Sequence, residues 1–292
     1  MVPYFLLFFA SASQALFSRR IGGIKAILAL VILIFFIGLR FETGGDWPNY
    51  LEAVQDAYQI PFSEFLSAQS YEPLYALLNW IAANIFGGLF LVNSVCASIF
   101  SFSLIRFCRR QPDPWLALTL AIPYLVIVVA MGYTRQSVAI AFLMLGLLSV
   151  QLGKNLEYII YIGIASLFHK PILVMMALLV FNSEFMIVNV SAKFVRLIKA
   201  ILLLLAGYGF YSTYSDDLYS IVKGYEGDYS GYSPQGALVR VSLTIIFAVI
   251  FLANRRRFSL SRQDDEIWTA LCRFALLPGI ALALSILPTL VD

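Results

Sequence analysis

Charged residues are scarce in this chain: they form 13% of its 292 residues, whereas hydrophobic residues form 61%. A soluble domain carries about 25% charged and about 45–50% apolar residues. A soluble fold of this length could not bury so much apolar surface, so a lipid bilayer must be the solvent for most of the chain. The composition therefore excludes a cytosolic globular enzyme, a disordered chain and a nucleic-acid-binding protein.

Cysteine and histidine are scarce too. The three cysteines show neither ligand spacing nor a disulfide framework, and His169 is the only histidine. No cluster of aspartates offers the oxygen ligands that a divalent cation needs. The sequence therefore predicts no metal site and no cofactor. Its first apolar run also lacks the basic residues that precede the apolar core of a signal peptide.

Long apolar runs predict an all-α, polytopic integral membrane bundle of about ten transmembrane segments. The expected segments are residues 2–17, 21–39, 72–105, 115–133, 137–152, 155–168, 171–189, 200–213, 237–253 and 267–290. The run 72–105 is too long for one simple span and is divided at Gly87-Gly88, so residues 72–86 are expected to form a re-entrant or partly buried half-helix. Residues 1–292 are expected to form a single membrane domain.

The basic residues predict the side on which each loop lies, because Lys and Arg are retained on the cytoplasmic side. Fourteen of the twenty basic residues lie in five loops that alternate correctly with the spans: Arg19, Arg20, Lys25, Arg106, Arg109, Arg110, Lys154, Lys193, Arg196, Lys199, Arg255, Arg256, Arg257 and Arg262. We therefore expect both termini outside, together with two long outer loops at residues 40–71 and 214–236.

The outer loop 40–71 is predicted to contain an amphipathic helix. Trp47, Tyr50, Leu51, Val54 and Tyr58 recur at three- and four-residue spacing, and polar residues occupy the opposite face. That pattern favours a helix that lies on the outer membrane interface with its apolar side down.

The outer loop 214–236 is rich in tyrosine and glycine and includes Tyr229. Two interpretations stay open for it. Its tyrosines could form the aromatic belt that is common at membrane interfaces. Alternatively, the loop could be a mobile lid whose rings stack on the apolar faces of a sugar.

Five segments bring ionisable or polar residues to one depth, near the outer interface. These residues are Arg40, Glu72, Arg135 with Gln136, His169 with Lys170, and Arg240. Ionisable residues beside apolar spans are costly and usually face a polar cavity. Their shared depth therefore predicts one cavity that opens outward.

Simpler interpretations of these residues stay open. Asp46 and Glu72 could cap the helices that follow them. Arg40 and Lys170 could be anchors whose long side chains reach towards water. A lone histidine such as His169 is more often structural than catalytic.

The chemistry of such a cavity suits a lipid-linked glycan. Guanidinium groups bind phosphate bidentately, and a lipid diphosphate carries its phosphates at this depth. Carboxylates and a neutral histidine can remove a proton from a hydroxyl nucleophile. Acidic and aromatic loops suit the sugar. We therefore predict an outward-facing site for a lipid-linked glycan.

Four motifs, in order, resemble those of the EpsG-type polysaccharide polymerases, which are Wzy-like. They are Gly38-Leu39-Arg40-Phe41 followed by Gly44-Gly45-Asp46-Trp47 and Tyr50; Tyr71-Glu72-Pro73-Leu74 with Asn79; Arg135-Gln136 with Ala139 and Ala141-Phe142; and Phe168-His169-Lys170-Pro171. The resemblance covers residues 38–181. The chain has Gly45 and Trp47 where the family usually shows Thr and Tyr.

The resemblance implies a GT-C-like, metal-independent and inverting glycosyltransferase in the bacterial inner membrane. Such enzymes join undecaprenyl-diphosphate-linked repeat units into O-antigen, capsule or exopolysaccharide on the periplasmic or outer face. The implied partners are the lipid-linked donor and acceptor, the bilayer and a membrane protein that regulates chain length. No nucleic acid is implied.

The resemblance also implies roles for the matching residues. Arg40 and Arg135 would hold the donor diphosphate and stabilise its departing charge. The acceptor hydroxyl would be activated by His169, Asp46 or Glu72, in that order of preference. Gln136, Tyr50 and Lys170 would position the substrate. Arg240 and Tyr229 lie outside the motifs and are expected to bind substrate from the outer side.

Other functions stay open. A glycan ligase would use the same lipid-linked donor. A flippase or exporter would place polar residues near the bilayer midplane and show internal repeats, neither of which the sequence displays. A membrane acyltransferase could use His169 as a base, but the inner loops are short and basic and offer no site for a cytoplasmic acyl donor.

Overall fold

A computed structural model describes residues 2–18, 20–68, 71–85, 87–181, 192–222, 235–261, 264–273 and 275–276. Its α-helices are α1 (Val2–Phe17), α2 (Gly23–Gly38), α3 (Trp47–Asp56), α4 (Phe62–Ala68), α5 (Pro73–Asn84), α6 (Gly88–Cys108), α7 (Pro114–Ala121), α8 (Thr134–Gln151), α9 (Asn155–Ser166), α10 (Ala177–Phe181), α11 (Ala192–Val222) and α12 (Gln235–Asn254). A π-helix covers Ile122–Ala130, and 3-10 helices cover Lys170–Met176 and Arg255–Arg257. Within these ranges no strand occurs, which confirms the all-α prediction.

The predicted membrane segments correspond to apolar helices wherever the backbone is described. Among the fully described residues, α6 and α8 are long and apolar enough to cross a membrane, and α1, α2, Pro114–Ala130 and Lys170–Val180 are apolar but shorter. Most of the last expected segment, 267–290, lies outside the described residues, as does the second half of 171–189. The number of about ten spans therefore stays a prediction.

The chain divides into two compact units, Met1–Leu173 and Val174–Asp292. In the first unit, α6 packs on α2 on one side and on α8 on another, and α8 packs on α9. One core lies among α1, α2, α6 and α7 and includes Leu33, Phe100 and Trp115. A second core lies among α3, α5, α6 and α8 and includes Tyr50, Tyr75 and Val138. In the second unit, α10 packs on α11.

The expected half-helix is present as α5. It contains 12 residues, which at 1.5 Å per residue is about 18 Å, too short for a bilayer core of about 30 Å. Gly87 separates α5 from α6 with a φ of +89°, in the left-handed region that glycine tolerates best. The prediction that Gly87-Gly88 divides the run 72–105 is therefore confirmed.

The amphipathic helix of the outer loop is present as α3, but its apolar side faces protein. Trp47, Tyr50 and Val54 are buried in the core that they share with α5, α6 and α8. Leu51 and Tyr58, predicted to share that face, are exposed. The expectation of a helix resting on the membrane interface was therefore wrong for this face, because the neighbouring helices offer a packing surface that hydropathy alone does not reveal.

The second outer loop is shorter than predicted. Helix α11 continues to Val222, so the stretch 214–222 is helical rather than loop. Residues 214–223 contain neither glycine nor proline, which leaves the helix free to continue. Residues 223–234, which include Tyr229, lie outside the described residues.

A close backbone contact fixes the loop that leads into α3. Gly44 has a φ of +98°, and a Cβ atom there would lie 2.7 Å from the Cα of Gly132 and 2.8 Å from the carbonyl oxygen of Met131. Met131 and Gly132 lie between the π-helix and α8. Gly44 therefore allows the loop 41–46 to touch the connection that positions the N-terminus of α8.

Candidate functional site

Glu72 is the centre of the candidate site. It occupies the N-cap position before α5, but its side chain makes no capping hydrogen bond. Its buried carboxylate instead accepts a hydrogen bond from Arg135 Nη1 at 3.1 Å and one from the backbone N–H of Lys170 at 3.1 Å. A simple helix cap therefore does not account for Glu72. We call Glu72, Arg135, His169 and the Lys170 N–H the Glu72 cluster.

Arg135 is the second residue of α8. Its guanidinium lies 5.1 Å from the ring centroid of Tyr71 and 5.9 Å from that of Tyr75. Its side chain is 28% exposed, compared with 7% for that of Glu72. The electron-rich ring faces attract the cation, so the two tyrosines and Glu72 together hold Arg135 at the edge of the protein.

His169 lies in the short connection between α9 and the 3-10 helix that begins at Lys170. Its Nδ1 is 3.9 Å from Glu72 Oε1, and the side chain is 27% exposed. Burial lowers the pKa of His169 below the usual 6.5; the nearby carboxylate of Glu72 raises this pKa to a lesser extent, and Arg135 lowers it. The imidazole is therefore neutral at neutral pH, as a general base requires.

The backbone brings these segments together. The N–H of Leu74, in the first turn of α5, donates to the carbonyl of Leu167 at 3.0 Å. Leu167 follows the last residue of α9 and lies two residues before His169. This bond ties the start of α5 to the end of α9, and it accounts for the meeting of Glu72 with the backbone of Lys170.

Asp46 and Tyr50 lie beside the Glu72 cluster. Asp46 is at the N-cap position of α3, yet its side chain makes no capping hydrogen bond. It accepts one from the Tyr50 hydroxyl at 3.2 Å instead. Burial, and then the charge of Asp46, raise the pKa of Tyr50 to about 12, and Arg135 lowers this pKa. Tyr50 therefore keeps its proton and links Asp46 electrostatically to Arg135.

Arg40 is buried behind the Glu72 cluster. Its guanidinium donates to the carbonyl of Ile37 at 3.0 Å, to Asn93 Oδ1 at 2.8 Å and to Thr134 Oγ1 at 2.5 Å. Its Nε has no partner, and no carboxylate within the described ranges forms an ion pair with it. Arg40 is therefore a buried cation that is held by neutral acceptors next to Arg135.

The remaining predicted residues are not brought into the cluster by their side chains. Gln136 and Lys170 are exposed, and Lys170 reaches Glu72 only through its backbone. Arg240 lies on α12 in the second unit, and its side chain is outside the described part of the chain, as is the whole of Tyr229. Their predicted roles in substrate binding stay predictions.

Sequence reasoning missed four neighbours of the charged residues. Asn93, Thr134, Tyr71 and Tyr75 contact Arg40 or Arg135. Asn93 carried a signal that could have found it, because it is an amide within the long apolar run that forms α6. Tyr71 stood beside Glu72 in one of the family motifs but was given no role. Tyr75 carried no signal, because tyrosine is common throughout this chain.

Metal-binding groups and cavities near the cluster would bear on the reaction that it can perform. Among the described residues, no group of three or more His, Cys, Asp and Glu side chains could hold a metal ion. Two cavities, of about 660 Å³ and about 340 Å³, are lined by residues away from the cluster. The predicted outward cavity stays a prediction, and the side chains of Arg135 and His169 are partly exposed.

A model of the EpsG family matches residues 24–291, nearly the whole chain. The match includes every residue of the Glu72 cluster together with Arg40 and Asp46. No curated protein and no solved structure matches the chain.

Proposed function

The chain belongs to the EpsG family, and from this premise we propose that it is a polymerase that joins undecaprenyl-diphosphate-linked oligosaccharide repeat units. Family membership indicates a polysaccharide-polymerase-like role in a membrane protein. The proposal includes the lipid-linked substrate, a metal-independent inverting mechanism and a site on the outer face of the bacterial inner membrane. The observation that carries it is the Glu72 cluster, which combines a phosphate-binding cation with a neutral histidine.

The proposed reaction transfers the growing glycan from one lipid diphosphate to a sugar hydroxyl of another repeat unit. A bond forms between the acceptor oxygen and the anomeric carbon of the donor sugar. The bond between that carbon and the diphosphate oxygen breaks, and the diphosphate leaves with the electron pair. The acceptor hydroxyl gives up its proton to a base on the protein.

Arg135 is the residue proposed to hold the donor diphosphate. It is partly exposed, and its guanidinium can bind phosphate oxygens bidentately. Charge builds up on the departing diphosphate in the transition state, where a placed cation is worth about 10²–10³-fold in rate. Arg40 supports this role with a second positive charge that no carboxylate among the described residues neutralises by an ion pair.

His169 is the residue proposed to take the acceptor proton. Its lowered pKa keeps the ring neutral, and the carboxylate 3.9 Å from Nδ1 can stabilise the imidazolium that forms. Glu72 is less suited to be the base, because both of its oxygens already accept hydrogen bonds. Asp46 is the second choice, because its carboxylate is partly exposed and, within the described part of the chain, accepts a hydrogen bond only from Tyr50.

The test uses the purified full chain in liposomes with lipid-linked repeat units extracted from its host. We expect a ladder of longer glycans on gel electrophoresis. Arg135→Ala should abolish the ladder while the protein is still produced. Lys154→Ala should leave it intact, because Lys154 forms an exposed ion pair with Glu157 beyond the opposite end of α8, about 24 Å of helix from Arg135. Absence of elongation by a folded preparation would refute the proposal. Transfer to a different acceptor without elongation would favour a ligase instead.

A further inference from the structure

A cavity of about 660 Å³ lies between α2 and α6. Gly23, the first residue of α2, and Arg109, the residue after α6, both line it. Arg40 and Asn93 meet at the opposite end of the same two helices. Since α2 ends at Gly38, eight residues after the lining residue Leu30, about 12 Å of helix separates the cavity from the end next to Arg40. The proposed function makes no use of this cavity.

One part of the cavity is apolar and open. Ile27 and Leu30 from α2 and Phe102 from α6 contribute to its wall. Ile27 and Phe102 are exposed. Both belong to helices that are apolar over their length, so this wall faces the hydrocarbon region of a bilayer rather than water. Its natural contact is an acyl chain.

The other part of the cavity is positively charged. Arg106, Arg109 and Arg110 line it and are exposed. None of them forms an ion pair among the described residues. Arg106 interacts electrostatically with the carboxylate of Glu157, but that carboxylate already accepts hydrogen bonds from Lys154 and Ser149. The three arginines therefore present positive charge at one end of an apolar groove. We call this cavity the arginine groove.

We propose that the arginine groove binds one anionic phospholipid. The phosphate would lie on Arg109 and Arg110, and an acyl chain would lie along Ile27, Leu30 and Phe102. A free phosphate ion would leave the apolar wall without a partner. A zwitterionic lipid would offer the arginines a phosphate whose charge its own ammonium group offsets, so it would bind them more weakly than an anionic lipid. Basic pockets between membrane helices recognise anionic headgroups in this way.

The test is native mass spectrometry of the purified full chain, titrated with phosphatidylglycerol and, separately, with phosphatidylcholine of the same acyl chains. We expect one phosphatidylglycerol to be retained in preference to phosphatidylcholine. The double variant Arg109→Gln/Arg110→Gln should weaken this binding about 30-fold, since each arginine near an anionic lipid contributes about fivefold. Excess inorganic phosphate should not displace the lipid.

Two further variants separate a defined site from general attraction of anionic lipid to basic residues. Arg256→Gln/Arg257→Gln removes the same charge from an exposed basic segment outside the groove and should leave the retained phosphatidylglycerol unchanged. Ile27→Trp keeps every charge, fills the groove and should lower retention. The proposal would be overturned if the two double arginine variants lost the lipid equally or if both lipids were retained equally. It would also be overturned if phosphate displaced the lipid fully or if Ile27→Trp had no effect. None of these readouts depends on polymerisation.

Discussion

The ion pair between Glu72 and Arg135 makes the sharpest prediction. Glu72→Gln removes the charge but keeps the shape and an acceptor oxygen for the backbone N–H of Lys170. Exposed ion pairs contribute about 0–1 kcal/mol, and the loss of one partner of a fully buried pair costs about 3–5 kcal/mol. Glu72 is 7% exposed and Arg135 is 28% exposed, so we expect an intermediate cost of about 2 kcal/mol in the free energy of unfolding.

A double-mutant cycle isolates this interaction from other effects of the two substitutions. We expect a coupling energy of about 1–2 kcal/mol between Glu72→Gln and Arg135→Gln, measured by SDS-induced unfolding in mixed micelles. The matched control is the cycle Lys154→Gln with Glu157→Gln, whose side chains are 54% and 45% exposed and should couple by about 0.5 kcal/mol or less. A Glu72–Arg135 coupling no larger than that of the control would refute the view that a buried ion pair organises this site.

Three other predictions test the parts of the site separately. His169 is the only histidine, so the NMR signal of ¹⁵N-histidine-labelled protein reports its pKa directly, and we expect a midpoint below 6.5. Glu72→Gln should lower that midpoint further, because it removes a nearby negative charge. A midpoint at or above 6.5 would contradict the assignment of His169 as a neutral base. Gly44→Ala should lower the melting temperature because its φ is positive and its Cβ would meet backbone atoms, whereas Gly45→Ala, with nothing within 4 Å, should not; equal effects would argue against the close contact. Arg40→Lys should reduce elongation by about 10-fold or more even though the charge is kept, because an ammonium cannot reproduce the planar set of donors; wild-type activity would show that charge alone is needed.

The position of the charged motifs at helix ends could be predicted, because each motif lies at the end of an apolar run. Glu72, Arg135 and His169 stand at helix ends that hydropathy already locates. The division at Gly87 could also be predicted, since paired glycines are poor helix formers. These features depend on local sequence alone, which is why they could be read without a structure.

The packing around those residues could not be predicted, because it depends on which helices become neighbours. The apolar face of α3 was assigned to the membrane, yet it packs on α5 and α6. A hydrophobic stripe is the same in sequence whether lipid or protein covers it. The apolar run around Asn93 marks that amide as unusual, but its hydrogen bond with Arg40, like that of Thr134, depends on the packing of α2, α6 and α8.

Glu72 also explains why local rules fail at this site. A carboxylate followed by proline at the start of a helix is most simply interpreted as a cap. Its two oxygens are instead bonded to groups 63 and 98 residues away. A carboxylate that only capped α5 would not need to be buried, because an exposed cap can already accept hydrogen bonds from the first N–H groups of a helix. Burial of Glu72 is tolerable because the cation of Arg135 and the N–H of Lys170 compensate its charge. This long-range compensation brings Arg135 and His169 to one carboxylate, which is the arrangement that the proposed reaction requires.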